Sequence, residues 1–289
     1  MNRWTFNERQ KRVTLPPGLP DYHVHTYRCG HAGGASRDFV LRAIERGLAE
    51  IGFTDHIPLY FLPQERRDPR LAMREDQFDG YVAEVLALRE EFRGRIAVRL
   101  GLEADYAEGL EERLSSWLAR APWDLVLGSV HFVAGDWIDA PGSEARFEKE
   151  GAERLYDDYY RLLAKAGRSG HFDVLTHFDL PKKFGKRPAA PREQAEKEAI
   201  AAAREGGCAV EISSAGLRKP VGEAYPEDRL LRQIVVAGIP VTFSSDAHAP
   251  AKVGWGYEET VKLARRCGVR EFVTFEDRRK TFHPLPGPE

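Results

Sequence analysis

Two short motifs carry residues that seek metal. His23 and His25 stand two apart in DYHVHT, and Asp246 and His248 stand two apart in SSDAH. Alternate side chains of an extended strand leave from one face, so each motif presents two donors side by side. Five more donors recur between them: His31 in CGHAGG, His56 in FTDH, Glu103 in GLEADY, His131 in GSVHF and His177 in THFDL. Imidazole nitrogens and carboxylate oxygens suit zinc, iron or manganese. Nine such ligands exceed the needs of one ion and fit a cluster of two to three divalent or trivalent transition-metal ions. His171, before its strand, and His283, in a Pro-rich tail, read as structural histidines. Cys29 beside His31 offers a soft sulfur but reads as an inert thiol, and Cys208 and Cys267 read as packing residues.

The elements that must position these donors are short apolar strands alternating with longer amphipathic segments. The strands fall at 21–26, 50–56, 97–106, 124–133, 172–180, 208–216 and 239–248. Helical periodicity marks RDFVLRAIERGL, QFDGYVAEVLALREEF, LEERLSSWLARA, ERLYDDYYRLLAKA, REQAEKEAIAAAREGG and EDRLLRQIVVAG between them. This alternation predicts parallel strands and an α/β fold. Histidines or carboxylates end six of the seven strands, and Ser213 and Ser214 end the other. Functional residues at successive strand ends predict a closed barrel with its site on the C-terminal face. An open sheet would gather its site at one switch point, and GHAGG does not match GxGxxG. In a closed seven-stranded barrel the first and last strands are neighbours, which brings both motifs together. The Pro- and Arg-rich loop at 57–75 is the candidate cover for that site.

The whole chain sets the boundaries. Of 289 residues 42% are hydrophobic and 30% charged, which excludes disordered and collagenous classes. No linker divides the sequence, so it reads as a single domain over 1–289 with a core about 21–280. With 45 acidic against 43 basic residues, the net charge of −2 argues against wholesale binding of nucleic acid. Three cysteines make no disulfide framework. The first residues lack the apolar core of a signal peptide, and no stretch nears the ~18 apolar residues of a membrane span. A cytoplasmic location without a membrane partner is expected.

DYHVHTYRCGHAGG, FTDH, GLEADY, GSVHF, THFDL and SSDAH, in that order, resemble the successive motifs of the polymerase-and-histidinol-phosphatase (PHP) superfamily. The resemblance implies a distorted seven-stranded, TIM-barrel-like (β/α)7 barrel, commonly with three metals. It implies that His23, His25, Glu103 and Asp246 hold one metal and that His31, His56 and His248 hold a second. Glu103 would bridge to a third metal on His131 and His177.

Two further segments bear on the substrate. HFDLPKKFGKR puts Lys182 and Lys183 past the fifth strand, and SSAGLRKP puts Arg218 and Lys219 past the sixth. Cations beside a metal cluster would hold an anionic group such as phosphate, with Arg able to bind two oxygens at once. These segments resemble those of PHP-type histidinol-phosphatases, in which Lys182 and Arg218 align with phosphate-holding positions. The family often has Arg at the position of Lys182 and Asn-Thr at that of Ser213 and Ser214. The implied activity is hydrolysis of L-histidinol phosphate to L-histidinol and phosphate in histidine biosynthesis. Catalytic roles fall to Glu103 as bridge and to Asp246, which orients the nucleophile or passes a proton to the leaving alkoxide; His248 is a second candidate donor. The expected partner is a small phosphomonoester, and a homo-oligomer is compatible with the sequence. The alternatives are another PHP phosphoesterase (a general or tyrosine-phosphate phosphatase, or a nuclease) and a non-catalytic PHP regulatory module.

Overall fold

The computed structural model describes residues 15–285. Seven strands form one sheet: β1 (Pro20–Val24), β2 (Glu50–Phe53), β3 (Ala97–Asp105), β4 (Leu125–Ser129), β5 (Val174–Leu175), β6 (Ala209–Ser213) and β7 (Val241–Ser244). They lie side by side in chain order and every neighbouring pair is parallel. The ring closes just past the strand ends. The His25 N–H donates to the Ala247 carbonyl and the Ala247 N–H to the His23 carbonyl, both at 2.9 Å. Below that point Asp21 supplies the seam, its buried carboxylate accepting from the Ser245 N–H at 2.8 Å and the Gly254 N–H at 2.9 Å. The expected seven-stranded βα barrel is the architecture found.

A helix follows each strand: α1 (Ser36–Glu45), α2 (Phe78–Glu91), α3 (Glu111–Leu118), α4 (Ala152–Arg168), α5 (Glu193–Glu205), α6 (Asp228–Val236) and α7 (Tyr257–Arg266). In α4 the buried residues Leu155, Tyr156, Tyr159, Tyr160, Leu162, Leu163 and Ala166 recur at helical spacing and face the core. Each large apolar side chain so buried stabilises the fold by ~1.5–3 kcal/mol before its entropy cost. No helix among the described residues is long and apolar enough to cross a membrane.

The opposite end of the barrel is closed by a hairpin of β8 (Glu271–Glu276) and β9 (Arg279–Pro284). Val273 and Phe275 join Tyr22, Leu125, Leu127, Val174 and Ala209 in a buried cluster. Sequence reading missed this hairpin, whose second strand runs past 280. Its turn residues Asp277 and Arg278 take φ of 50° and 62° without a glycine to signal them. With this end plugged, the opposite face of the barrel is left for chemistry.

Candidate metal centre

Glu103, near the end of β3, lies at the middle of the site with 1% exposure. Its Oε2 faces His56 Nδ1 at 2.9 Å, His23 Nε2 at 3.0 Å and His25 Nε2 at 3.5 Å. Its Oε1 faces His177 Nε2 at 3.2 Å and His131 Nε2 at 3.6 Å. One carboxylate thus turns an oxygen to each of two histidine groups. Asp246 Oδ1 joins the first group, 3.3 Å from His25 Nε2 and 3.9 Å from His23 Nε2. His56 reaches Glu103 because the chain beyond β2 still pairs in parallel with β3 at these two residues.

His31 and His248 complete the cluster at its exposed edge. The His31 Nδ1–H points at the carbonyls of Cys29 and Arg70, each 2.9 Å away, which leaves the lone pair on Nε2. His248 Nδ1 lies 3.2 Å from the Asp246 carbonyl and 3.3 Å from its carboxylate, which assigns the same tautomer. The two Nε2 atoms face each other at 2.9 Å. Burial lowers the pKa of His31 and brings that of His248 down to about 4, so both rings are neutral. Two facing lone pairs repel unless a cation lies beside both.

All nine expected ligands therefore converge, and their chemistry fits a set of metal ions. His23 Nε2, both ring nitrogens of His25 and Glu103 Oε2 are buried without a hydrogen-bond partner among the described residues. Burial alone would raise the Glu103 carboxyl, but His23, His56 and His131 overcome it and hold the group well below the carboxylate range. Asp246 is held down in the same way, burial being outweighed by His248 and His23. Donor triads that lie close enough to share an ion include His25 with His56 and His248, His23 with His25 and Glu103, and His56 with Glu103 and His131. Cys29 lies near His31 and His248, yet burial pushes its thiol up to about 12. His177 and Asp246 adopt φ of 26° and 49°. Non-glycine residues pay for such angles, and that cost concentrates at functional sites.

Three carboxylates that stand behind these ligands were not anticipated from the sequence. Glu211 on β6 meets His23 Nδ1 at 2.9 Å, and Asp105 meets His131 Nδ1 at 3.0 Å. Asp55 binds the Thr26 N–H at 2.8 Å and stands 3.8 Å from His25 Nδ1. Each sits on a barrel strand or just beyond one, and its charge in an otherwise apolar stretch was the available signal. The loop at 57–75 is tied to the site through the Arg70 carbonyl. Gly30 permits that approach, since a Cβ there would lie 2.1 Å from the Pro69 carbonyl.

The four expected cations separate into two kinds. Lys182 is fully buried and turned inward, its Nζ 2.9 Å from Asp179 Oδ2, 2.7 Å from the Ala224 carbonyl and 3.3 Å from Glu223. Lys183 pairs with Asp139 at 2.8 Å. Arg218 donates through Nη2 to the carbonyls of Ser245 at 2.7 Å and Asp246 at 3.1 Å, while its buried Nη1 has no partner among the described residues. The Lys219 ammonium makes no hydrogen bond or ion pair among the described residues, and burial lowers its pKa despite the pull of Asp246. Arg218 and Lys219 are thus the cations with capacity for an added anion.

A family model for the PHP domain matches residues 21–215. The chain is 41% identical over 262 residues to a "Probable histidinol-phosphatase" of Deinococcus radiodurans, spanning 91% of this chain and 98% of that protein. It is 30% identical over 264 residues to the histidinol-phosphatase of Bacillus subtilis, spanning 82% and 96%. A crystal structure of histidinol phosphate phosphatase from Lactococcus lactis, complexed with zinc, L-histidinol and phosphate, has a TM-score of 0.76 at 22% identity, covering 92% of this chain and all of that one. That likeness shows the shared fold. By its matched motifs and these relatives, the chain belongs to the PHP family.

Proposed function

We propose that this chain is a metal-dependent histidinol-phosphatase, hydrolysing L-histidinol phosphate to L-histidinol and phosphate as a step of histidine biosynthesis in the cytoplasm. The names of the relatives at 41% and 30% identity support the substrate. The observation that carries the chemistry is the division of Glu103, with Oε2 toward His23, His25 and His56 and Oε1 toward His131 and His177. The whole chain, 1–289, is proposed as one catalytic domain with a core about 21–280, acting on a small phosphomonoester and not on nucleic acid.

The proposed ligands are His23, His25, His31, His56, Glu103, His131, His177, Asp246 and His248, holding two to three zinc, iron or manganese ions. Such ions, when bound, supply Lewis acidity and an acidic water. The chain's own residues do the rest. Arg218 Nη1 and the Lys219 ammonium receive phosphoryl oxygens, because charge on those oxygens is what must be stabilised. Lys183, anchored by Asp139, adds positive charge beside them. Lys182 acts from behind, tying the Asp179 turn to Glu223 and Ala224. Asp246 is held as a carboxylate, the form that can orient an attacking water, take its proton and pass it to the leaving alkoxide. His248, neutral and anchored through Nδ1, serves as a ligand in preference to a donor.

The test is phosphate release from L-histidinol phosphate by native, chelator-stripped and metal-reconstituted protein. Turnover that vanishes with the metal and returns with zinc, iron or manganese supports the proposal. Activity that persists in stripped protein refutes it.

A further inference from the structure

Between β6 and α6 the chain doubles back on itself. The Ser213 N–H donates to the Tyr225 carbonyl at 2.7 Å, and the Tyr225 N–H to the Ser213 carbonyl at 3.0 Å. The enclosed loop carries Arg218 and Lys219. Only glycine fits at 216, because a Cβ there would lie 2.0 Å from the Glu223 carbonyl and 3.0 Å from the Tyr225 ring. Lys182 secures the loop from the β5 side, its Nζ 5.2 Å from the centroid of the Tyr225 ring. The His177 ring meets the same ring edge-on at 6.4 Å.

The Tyr225 side chain is therefore fixed on several sides and is only 2% exposed, yet its hydroxyl has no hydrogen-bond partner among the described residues. Buried hydroxyls are nearly always bonded, and leaving one unpaired is costly. Other buried tyrosines in this barrel obey the rule. Tyr60, Tyr81, Tyr159 and Tyr257 each donate to a main-chain carbonyl at 2.7 or 2.8 Å. Tyr225 differs from them in packing its ring against the ring of a metal-site histidine, on the loop that bears Arg218 and Lys219. An ordinary phenol is protonated at neutral pH, so the hydroxyl offers a donor.

We infer that Tyr225 is a substrate-binding residue whose hydroxyl donates a hydrogen bond to a phosphoryl oxygen on the His177 side of the site. The inference rests on the phosphatase reading above. A phosphoryl oxygen accepts the proton this hydroxyl offers, and Arg218 and Lys219 on the same loop are the cations that would hold the phosphoryl group. Arg218, Lys219 and Tyr225 then form one preassembled phosphate-binding loop, two of them charged and one a neutral donor.

Tyr225→Phe tests the idea, because it removes the hydroxyl and keeps the ring that Lys182 and His177 touch. The variant should keep its metal content and lose no thermal stability. Its kcat/KM for L-histidinol phosphate should fall about ten- to a hundredfold, as for a lost bond to a charged group, and the inhibition constant of inorganic phosphate should rise by a similar factor. Unchanged kcat/KM and phosphate inhibition in a folded, metal-replete variant would overturn the inference. So would a loss of activity that follows lost metal or a lower melting temperature. If native enzyme ignores L-histidinol phosphate but hydrolyses p-nitrophenyl phosphate, the substrate reading fails by itself. The same Tyr225→Phe comparison, run on the aryl phosphate, then decides the role of the hydroxyl.

Discussion

Glu211 holds His23 Nδ1 at 2.9 Å, and the other nitrogen of the same ring lies 3.0 Å from Glu103 Oε2. A carboxylate behind a histidine fixes the ring and raises its basicity toward a metal. Glu211→Ala should leave the barrel folded and weaken metal binding about 10- to 100-fold. Metal titration of the stripped variant would show this; unchanged affinity would make Glu211 a bystander.

Glu103→Gln should disturb both halves of the cluster, since each oxygen faces a different histidine group. Elemental analysis should find a deficit larger than one ligand substitution at the edge, such as His31→Ala, produces. His171→Ala should leave metal content intact, because His171 touches Phe172 and takes no place among the clustered donors. Equal metal loss in His171→Ala and His131→Ala would contradict this division.

The four cations should separate by measurement. Arg218→Ala removes a charge-assisted contact worth roughly 1.5–3 kcal/mol, so kcat/KM should fall about ten- to a hundredfold with the melting temperature unchanged. Lys219→Ala should act in the same direction. Lys182→Ala should chiefly destabilise the fold, by about 3–5 kcal/mol, because it leaves Asp179 buried without its partner. Chemical denaturation beside steady-state kinetics tells these outcomes apart; a Lys182 variant of normal stability would contradict the inward role.

Asp139 adds a pH dependence. Burial works to raise its carboxyl, but Lys183 and His131 outweigh that and hold it at about 2, below the ordinary 3.8. A depressed carboxyl favours the fold at pH above its ordinary value, and that contribution is lost as pH falls toward 2. The difference corresponds to roughly 2 kcal/mol. Lys183→Met should therefore flatten the loss of unfolding free energy between about pH 4 and 2 relative to the native chain. Parallel curves would show that the pair contributes nothing.

Donors at successive strand ends were enough to read both the barrel and its ligand-bearing face, because strand–helix alternation is legible locally. The period-two reading of Asp246 and His248 does not hold, since β7 ends at Ser244 and Asp246 takes φ of 49°. Glu211, Asp105 and Asp55 were not legible in the same way. A strand pattern tells which face a residue occupies, but the partner of Glu211 lies 188 positions away and meets it only once the barrel closes. By resemblance Lys182, not Lys219, stood at a phosphate-holding position. What separates them is Asp179, three residues before Lys182 and able to turn its ammonium inward, while Lys219 has no such neighbour. The β8–β9 hairpin was hidden because its turn lacks the usual glycine.

With the proposed function, the metal site is built for phosphate monoesters. A monoester offers several free oxygens to the metals and to Arg218 and Lys219, whereas a diester gives up one of them and adds bulk. The most direct measurement is kcat/KM of the metal-loaded enzyme on L-histidinol phosphate, phosphotyrosine, a small phosphodiester and single-stranded DNA under one set of conditions. L-histidinol phosphate should lead the series and exceed the diester by at least about a hundredfold, combining one lost charged contact with crowding. Comparable values for monoester and diester, or faster cleavage of single-stranded DNA, would contradict it.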